Sequence, residues 1–218
     1  MKKKILIIIG FAHLFTTPGK RSPDGKFREA IYSREVGRDI KAKLEALGYT
    51  VAFDYDGDKL PKTMQTPMAK LEQQRELALR VANVNQMCKE YGAANVLYVS
   101  IHVNAAWADG KWHEARGWQV NVSPKASSKS KLLADCLFDA AKGNGLKMRQ
   151  PSASQKYWNN AGLYILSNTA CPAVLTENLF QDNRDDVAFL ASDAGRHAIE
   201  RLHVEGIVNY IEKTYGKA

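Results

Sequence analysis

The sequence predicts an α/β fold: a twisted, mostly parallel or mixed sheet of about six strands with helices on both faces. Three observations carry that expectation. Short apolar runs recur at Ile5-Leu6-Ile7-Ile8-Ile9, at Asn95-Val96-Leu97-Tyr98-Val99 and at Ala173-Val174-Leu175, each the length of a buried strand. Longer segments between them repeat apolar residues at helical spacing. The two patterns alternate along the chain, as they do when helices cross over a sheet.

In chain order, residues 4–9 read as the first strand. Residues 14–26 hold Pro18-Gly19, Ser22-Pro23 and Asp24-Gly25, a loop with two turns. A helix begins at Phe27, with Ile31, Val36, Ile40, Leu44 and Leu47 on one face and Gly48 as its C′ residue. Residues 49–53 form a short strand and 54–66 a turn-rich link. A long helix covers about 67–91, with Leu71, Leu77, Val81, Val84 and Met87 on one side, and Gly92 stops it. The next strand ends at His102. A polar loop follows at 105–114, then an alternating strand at 117–122. Ser127-Ser128 precede a helix that reaches Ala141. Residues 146–161 are irregular, 162–166 and 173–176 are strands, 184–190 is a short helix and 193–215 a terminal amphipathic helix. No repeat, linker or shift in composition divides the chain, so residues 1–218 read as one domain.

The net charge of +8 calls for an anionic partner: nucleic acid, an acidic membrane or an acidic wall polymer. The basic residues are scattered and no nucleic-acid motif is recognisable, which argues against the first. No run of about 18 apolar residues occurs, which argues against membrane insertion. The N-terminal Lys2-Lys3-Lys4 and apolar run mimic a secretory signal, but the run is short and lacks a small-x-small cleavage site. A first core strand explains it better. The chain therefore reads as made in the cytoplasm and released by another agent. Cys88, Cys136 and Cys171 show no C-x-x-C spacing, which disfavours a cysteine-based zinc site; they read as packing residues.

Two histidines follow buried strands, His13 after the first and His102 at the end of the strand Val96 opens. Neutral imidazole is the commonest protein ligand for zinc, and strand ends can bring two onto one ion. A catalytic zinc takes three protein ligands, and the third here is Glu29, Glu35 or Glu177. Glu29 opens the first helix, whose N-terminus points toward the strand ends. Glu35 lies almost two turns on and should face solvent. Glu177 follows the run at 173–175. His197 and His203 read as surface or packing residues, and His113 as a solvated loop residue.

The segments His13…Pro18-Gly19-Lys20-Arg21-Ser22-Pro23-Asp24-Gly25…Arg28-Glu29, Arg80…Ala82-Asn83, Ser100-Ile101-His102-Val103-Asn104-Ala105 and Pro172-Ala173-Val174-Leu175-Thr176-Glu177-Asn178-Leu179-Phe180…Asn183 carry a resemblance. In that order they resemble the zinc-dependent N-acetylmuramoyl-L-alanine amidases, in particular the phage endolysin-like members. The resemblance spans nearly the whole chain. It implies one zinc ion held by His13, Glu29 and His102, with Glu177 as the catalytic carboxylate. It implies hydrolysis of the amide between N-acetylmuramic acid and L-alanine in peptidoglycan, for wall lysis by an endolysin or remodelling by an autolysin. Arg21 and Asn104 are expected to bind substrate. The family's Asp-x-Gly-His-Gly is replaced by Gly10-Phe11-Ala12-His13-Leu14, which removes an outer carboxylate and alters the backbone around the ligand. Two other readings share these residues: a zinc peptidase or carboxypeptidase of stem peptides, and a wall-binding module that has lost catalysis.

Overall fold

The computed structural model describes residues 5–216. Lys4, which the sequence places in the first strand, lies outside the described residues. Six strands form one mixed sheet in the order β2-β1-β3-β6-β4-β5. They are β1 (Leu6–Phe11), β2 (Thr50–Phe53), β3 (Val96–Asn104), β4 (Gln119–Val122), β5 (Trp158–Asn159) and β6 (Ala173–Phe180). β2, β1, β3 and β6 run parallel, and β4 turns antiparallel against β6. The helices are α1 (Glu29–Ala46), α2 (Ala69–Tyr91), α3 (Ser128–Gly143), α4 (Tyr164–Asn168), α5 (Arg184–Ala191) and α6 (Asp193–Tyr215).

Strand alternation divides the interior into two layers. Ile7, Ile9 and Phe11 of β1 and Leu97, Val99, Ile101 and Val103 of β3 face one side, against α1, α3 and α6. Leu6 and Ile8, with Val96 and Tyr98, face the other, against α2 and α4. In α1, Val36, Ile40 and Leu44 are buried as the spacing predicts, and Gly48 adopts φ +88° after the helix. Ile31 and Leu47 are exposed, because the buried stripe instead takes in Ala30, Ser33, Arg34 and Gly37. Ser127 caps α3 by accepting the Ser130 N–H at 3.1 Å.

Two expectations change. Residues 162–166 are not a strand: Tyr164–Asn168 is the short helix α4, burying Ile165 and Leu166 beside α2. A strand there would have no edge of β6 to join, since β3 and β4 occupy both. Within 146–161, otherwise irregular, Trp158–Asn159 forms the two-residue β5, paired to Asn121 and Val122.

Candidate active site

Parallel strands deliver their C-terminal ends to one rim of the sheet, and the site is built there. β1 ends at Phe11. His13 lies two residues on, at φ 49°, the left-handed region where histidine is uncommon. It stands where the family resemblance expects glycines around the ligand, and the fold holds the unusual backbone by its carbonyl groups. Arg34 Nη1 donates to the carbonyls of Ala12 (3.3 Å) and His13 (3.0 Å), and Arg80 Nη2 reaches His13 O at 3.5 Å. The Ala12 N–H donates to Ser33 Oγ at 3.1 Å.

Glu29 is the first residue of α1 and is buried. Its Oε1 accepts the Val103 N–H at 3.0 Å, which ties the helix start to the end of β3. His102 Nδ1 lies 3.1 Å from the same oxygen, and His13 Nε2 lies 3.5 Å from Oε2. The two imidazole rings meet edge to face with centroids 5.1 Å apart. One donor atom from each of His13, Glu29 and His102 lies within 4.8 Å of the others. Zinc with bonds of about 2.0–2.1 Å places donors about 3.3 Å apart, so the trio fits after a small closure. Its protonation fits too. Burial holds the His13 imidazole near pKa 3, hence neutral at pH 7, with Glu29 only partly opposing it. Burial alone would raise the Glu29 carboxyl, but His13, His102 and Lys20 outweigh it and keep it below the usual carboxylate range. A neutral imidazole and an ionised carboxylate are the forms a metal takes. Glu35 points away and pairs with Arg196 on α6.

Glu177 sits directly opposite His102 in the β3–β6 register. Immediately afterwards the register slips: His102 to Asn104 on β3 spans Glu177 to Phe180 on β6. Leu179 absorbs the extra residue at φ 67°. Such a bulge re-aims side chains at a strand end. The buried Asn178 pins it, donating to His102 O at 2.9 Å while accepting from Trp118 Nε1 at 2.8 Å. Glu177 Oε2 is buried and has no hydrogen-bond partner. Burial and the neighbouring Glu29 charge raise its carboxyl well above the ordinary range, with Lys20 opposing.

Beneath the trio lies a network the sequence did not disclose. Arg80, fully buried, donates to Asp54 Oδ1 at 2.8 Å and to Glu76 Oε1 at 3.0 Å. Tyr98 donates to Asp54 Oδ2 at 2.9 Å. Gly10 makes room for that phenol, since a Cβ there would lie 2.3 Å from the Tyr98 oxygen. Lys20, on the loop, acts electrostatically on His13, Glu29 and Glu177. Arg80 belongs to a motif the sequence displays; Arg34, Asp54 and Lys20 carry no local mark.

The expected substrate residues lie outside the trio. Asn104 ends β3 and lines a groove of about 360 Å³. Arg21 is exposed and lines a smaller one of about 230 Å³, with Lys111 and Asp182. Trp107, 70% exposed, forms part of both walls, whereas Trp118 is core. His203 is buried and His197 exposed, as expected for packing and surface residues, and Cys88, Cys136 and Cys171 are buried free thiols.

An α/β sheet whose parallel rim gathers two imidazoles and a carboxylate that could hold a metal ion, with an unpartnered second carboxylate beside them, is an arrangement suited to a hydrolase. The model of the N-acetylmuramoyl-L-alanine amidase family matches residues 7–209, and the chain belongs to that family. It is 33% identical over 138 residues to the endolysin of Bacillus phage SPP1, an alignment that covers 62% of this chain and 48% of the endolysin. The chain thus spans about half the length of that relative. It is 22% identical over 202 residues to the germination-specific N-acetylmuramoyl-L-alanine amidase of Bacillus subtilis, covering 90% of this chain and 78% of that protein. Among solved structures, the CwlD amidase of Clostridioides difficile, crystallised with the GerS lipoprotein, superposes with a TM-score of 0.76 at 20% identity, over 96% of this chain and 99% of that one. An N-acetylmuramyl-L-alanine amidase of Mycobacterium smegmatis gives 0.75 at 18%, over 98% and 100%. The fold expectation is borne out.

Proposed function

We propose that the chain is a zinc-dependent amidase that cleaves the bond between N-acetylmuramic acid and L-alanine in peptidoglycan. One observation carries the chemistry: an unpartnered, buried Glu177 Oε2 directly across the register from His102, at the rim where His13 and Glu29 converge. His13, Glu29 and His102 would hold the zinc. When bound, zinc supplies Lewis-acid chemistry, polarising the scissile carbonyl and making water a better nucleophile at neutral pH.

Glu177 handles the protons. Its carboxylate removes a proton from the attacking water as the water oxygen bonds to the lactyl carbonyl carbon. It then gives that proton to the alanine nitrogen as the carbon–nitrogen bond breaks. A carboxyl with a raised affinity for protons suits both halves of that exchange. Glu29 fixes His102 and the end of β3 at once, so ligand and strand are positioned together. A peptidoglycan substrate implies action on the cell wall.

Digestion of purified peptidoglycan, followed by mass spectrometry, tests the bond assignment. The expected products are intact glycan chains and peptides with new L-alanine amino termini. Termini from deeper in the stem would make the protein a peptidase. No release of fragments by the zinc-loaded protein would leave only wall binding.

A further inference from the structure

The groove that Asn104 lines runs across β4. Asn104, Trp107, Gln119, Asn121, Arg149 and Trp158 line it. Gln119 pairs with Glu177 in the sheet, and Asn121 with Leu175, so both amides stand on the face that carries Glu177. No carboxylate is among the described residues that line it, and Arg149 is the one cation there. The guanidinium carbon of Arg149 lies 5.3 Å from the Phe180 ring centroid and 5.9 Å from that of Trp158. Among the described residues no carboxylate lies within 4.0 Å of it, whereas Arg34, Arg38, Arg80, Arg116 and Arg196 all have one. Its backbone is clipped to the sheet: Arg149 N–H donates to Trp118 O at 2.8 Å, and Trp158 Nε1 donates to Arg149 O at 3.3 Å. A guanidinium held between aromatic faces, with its fork of donors free, is preorganised for a carboxylate.

We propose that Arg149 binds a carboxylate of the stem peptide on the amine side of the scissile bond, and that Gln119 binds that peptide's amides. The inference rests on the amidase reading for its ligand. In a muramoyl peptide the lactyl carboxyl is consumed in the amide and the N-acetyl sugars are neutral. The anionic groups are therefore the peptide's own. Arg149 stands on the segment that bridges the outer edge of β4 at Trp118, three strand spacings from β3, about 15 Å. Its side chain covers part of that distance, and the carboxylate it meets therefore belongs to the peptide beyond its first residue.

The test reads binding without turnover. The probe is the free tetrapeptide beginning with L-alanine, with its carboxylates either free or all converted to carboxamides, titrated by calorimetry into the zinc-loaded protein. The free-acid form should bind about tenfold or more tightly than the amide form, as a charge-assisted hydrogen-bonded pair implies. Arg149→Ala should remove that preference, and Arg149→Lys should restore only part of it. Lys147→Ala, which removes a nearby cation outside the groove, should keep it whole. Equal discrimination in parent and Arg149→Ala would overturn the assignment, as would equal loss in Lys147→Ala. In steady-state cleavage of the matching muramoyl peptides, Arg149→Ala should raise KM on the free acid about tenfold, with kcat within about twofold. Discrimination in binding without any cleavage by the parent would refute the amidase reading and leave the Arg149 assignment standing.

Discussion

The two faces of β3 differ in what they contribute. Leu97, Val99, Ile101 and Val103 are at most 3% exposed and pack under α1, in the layer that α6 completes. On the opposite face the strand begins with Val96 and Tyr98, then changes to Ser100, His102 and Asn104. β6 repeats the change, from Ala173 and Leu175 to Glu177. One strand thus supplies an apolar face along its whole length, and a reactive face only over its last turns of pleat. Because successive side chains point to opposite sides, residues one position apart answer to different constraints. The reactive end can hold costly groups because the other face is uninterrupted core.

Substitutions on the two faces should therefore separate. The largest effect falls on the reactive face: His102→Ala leaves two protein ligands and should abolish both zinc retention and turnover. Exhaustive chelation should do the same to the parent protein, with recovery on adding zinc. Full turnover with metal absent by elemental analysis would refute the zinc reading. Glu177→Gln keeps the shape and removes the base. Turnover should fall by roughly 10²–10⁴-fold, with zinc content unchanged; loss of zinc would instead make Glu177 a ligand.

The apolar face should show the reverse. Leu97→Ala opens a cavity in the larger layer and should cost about 2–5 kcal/mol in urea denaturation. Zinc content and turnover per folded molecule should match the parent, and a steep loss of either would show that the faces are coupled. The smallest effect concerns His203, on α6 behind β6. Its Nε2 lies 3.0 Å from Thr176 Oγ1 and its Nδ1 2.7 Å from Ile199 O. Burial lowers its pKa from 6.5 to about 4. The unfolded chain takes up this proton near pH 6.5 and the folded chain only near 4. Stability is therefore present above pH 6.5 and is lost as pH falls to 4, by up to about 3 kcal/mol. His13 contributes a slope of the same sign that begins at the same pH and continues down to about 3. The decisive quantity is thus the difference in slope between the parent and His203→Asn. Equal slopes would show that His203 does not titrate on unfolding.

The strands of the rim were legible because β1, β3 and β6 begin as continuous apolar runs, and His13, His102 and Glu177 come at or just past the ends of those runs. Glu29 was legible as the first residue of a helix, and Glu35 as a residue facing away. Residues 162–166 misled because four apolar residues in a row have no period. Occupancy of both edges of β6, a fact about distant strands, decides their conformation. β5 was illegible for a related reason: two residues carry no pattern, and their partners on β4 lie 37 positions earlier. Arg34 and Arg80 were not readable as buried, since their burial depends on acceptors at Gly57, Asp54 and His13. In sequence Arg34 is one more basic residue on a helix, and Arg80, though part of a recognisable motif, carries no sign of its burial. The groove at Arg149 was hidden in a segment that looks irregular, because its order comes from β4.

The carbonyl of His13 has a mechanical consequence. Arg34 approaches it from α1 and Arg80 from α2, and those helices lie on opposite layers of the sheet. A single peptide group, in a conformation costing roughly 1–2 kcal/mol, is thereby gripped from both sides. Neither layer can shift without pulling on His13. The residue acts as a rivet through the sheet, and local opening of either half is transmitted to the candidate site before the chain as a whole unfolds.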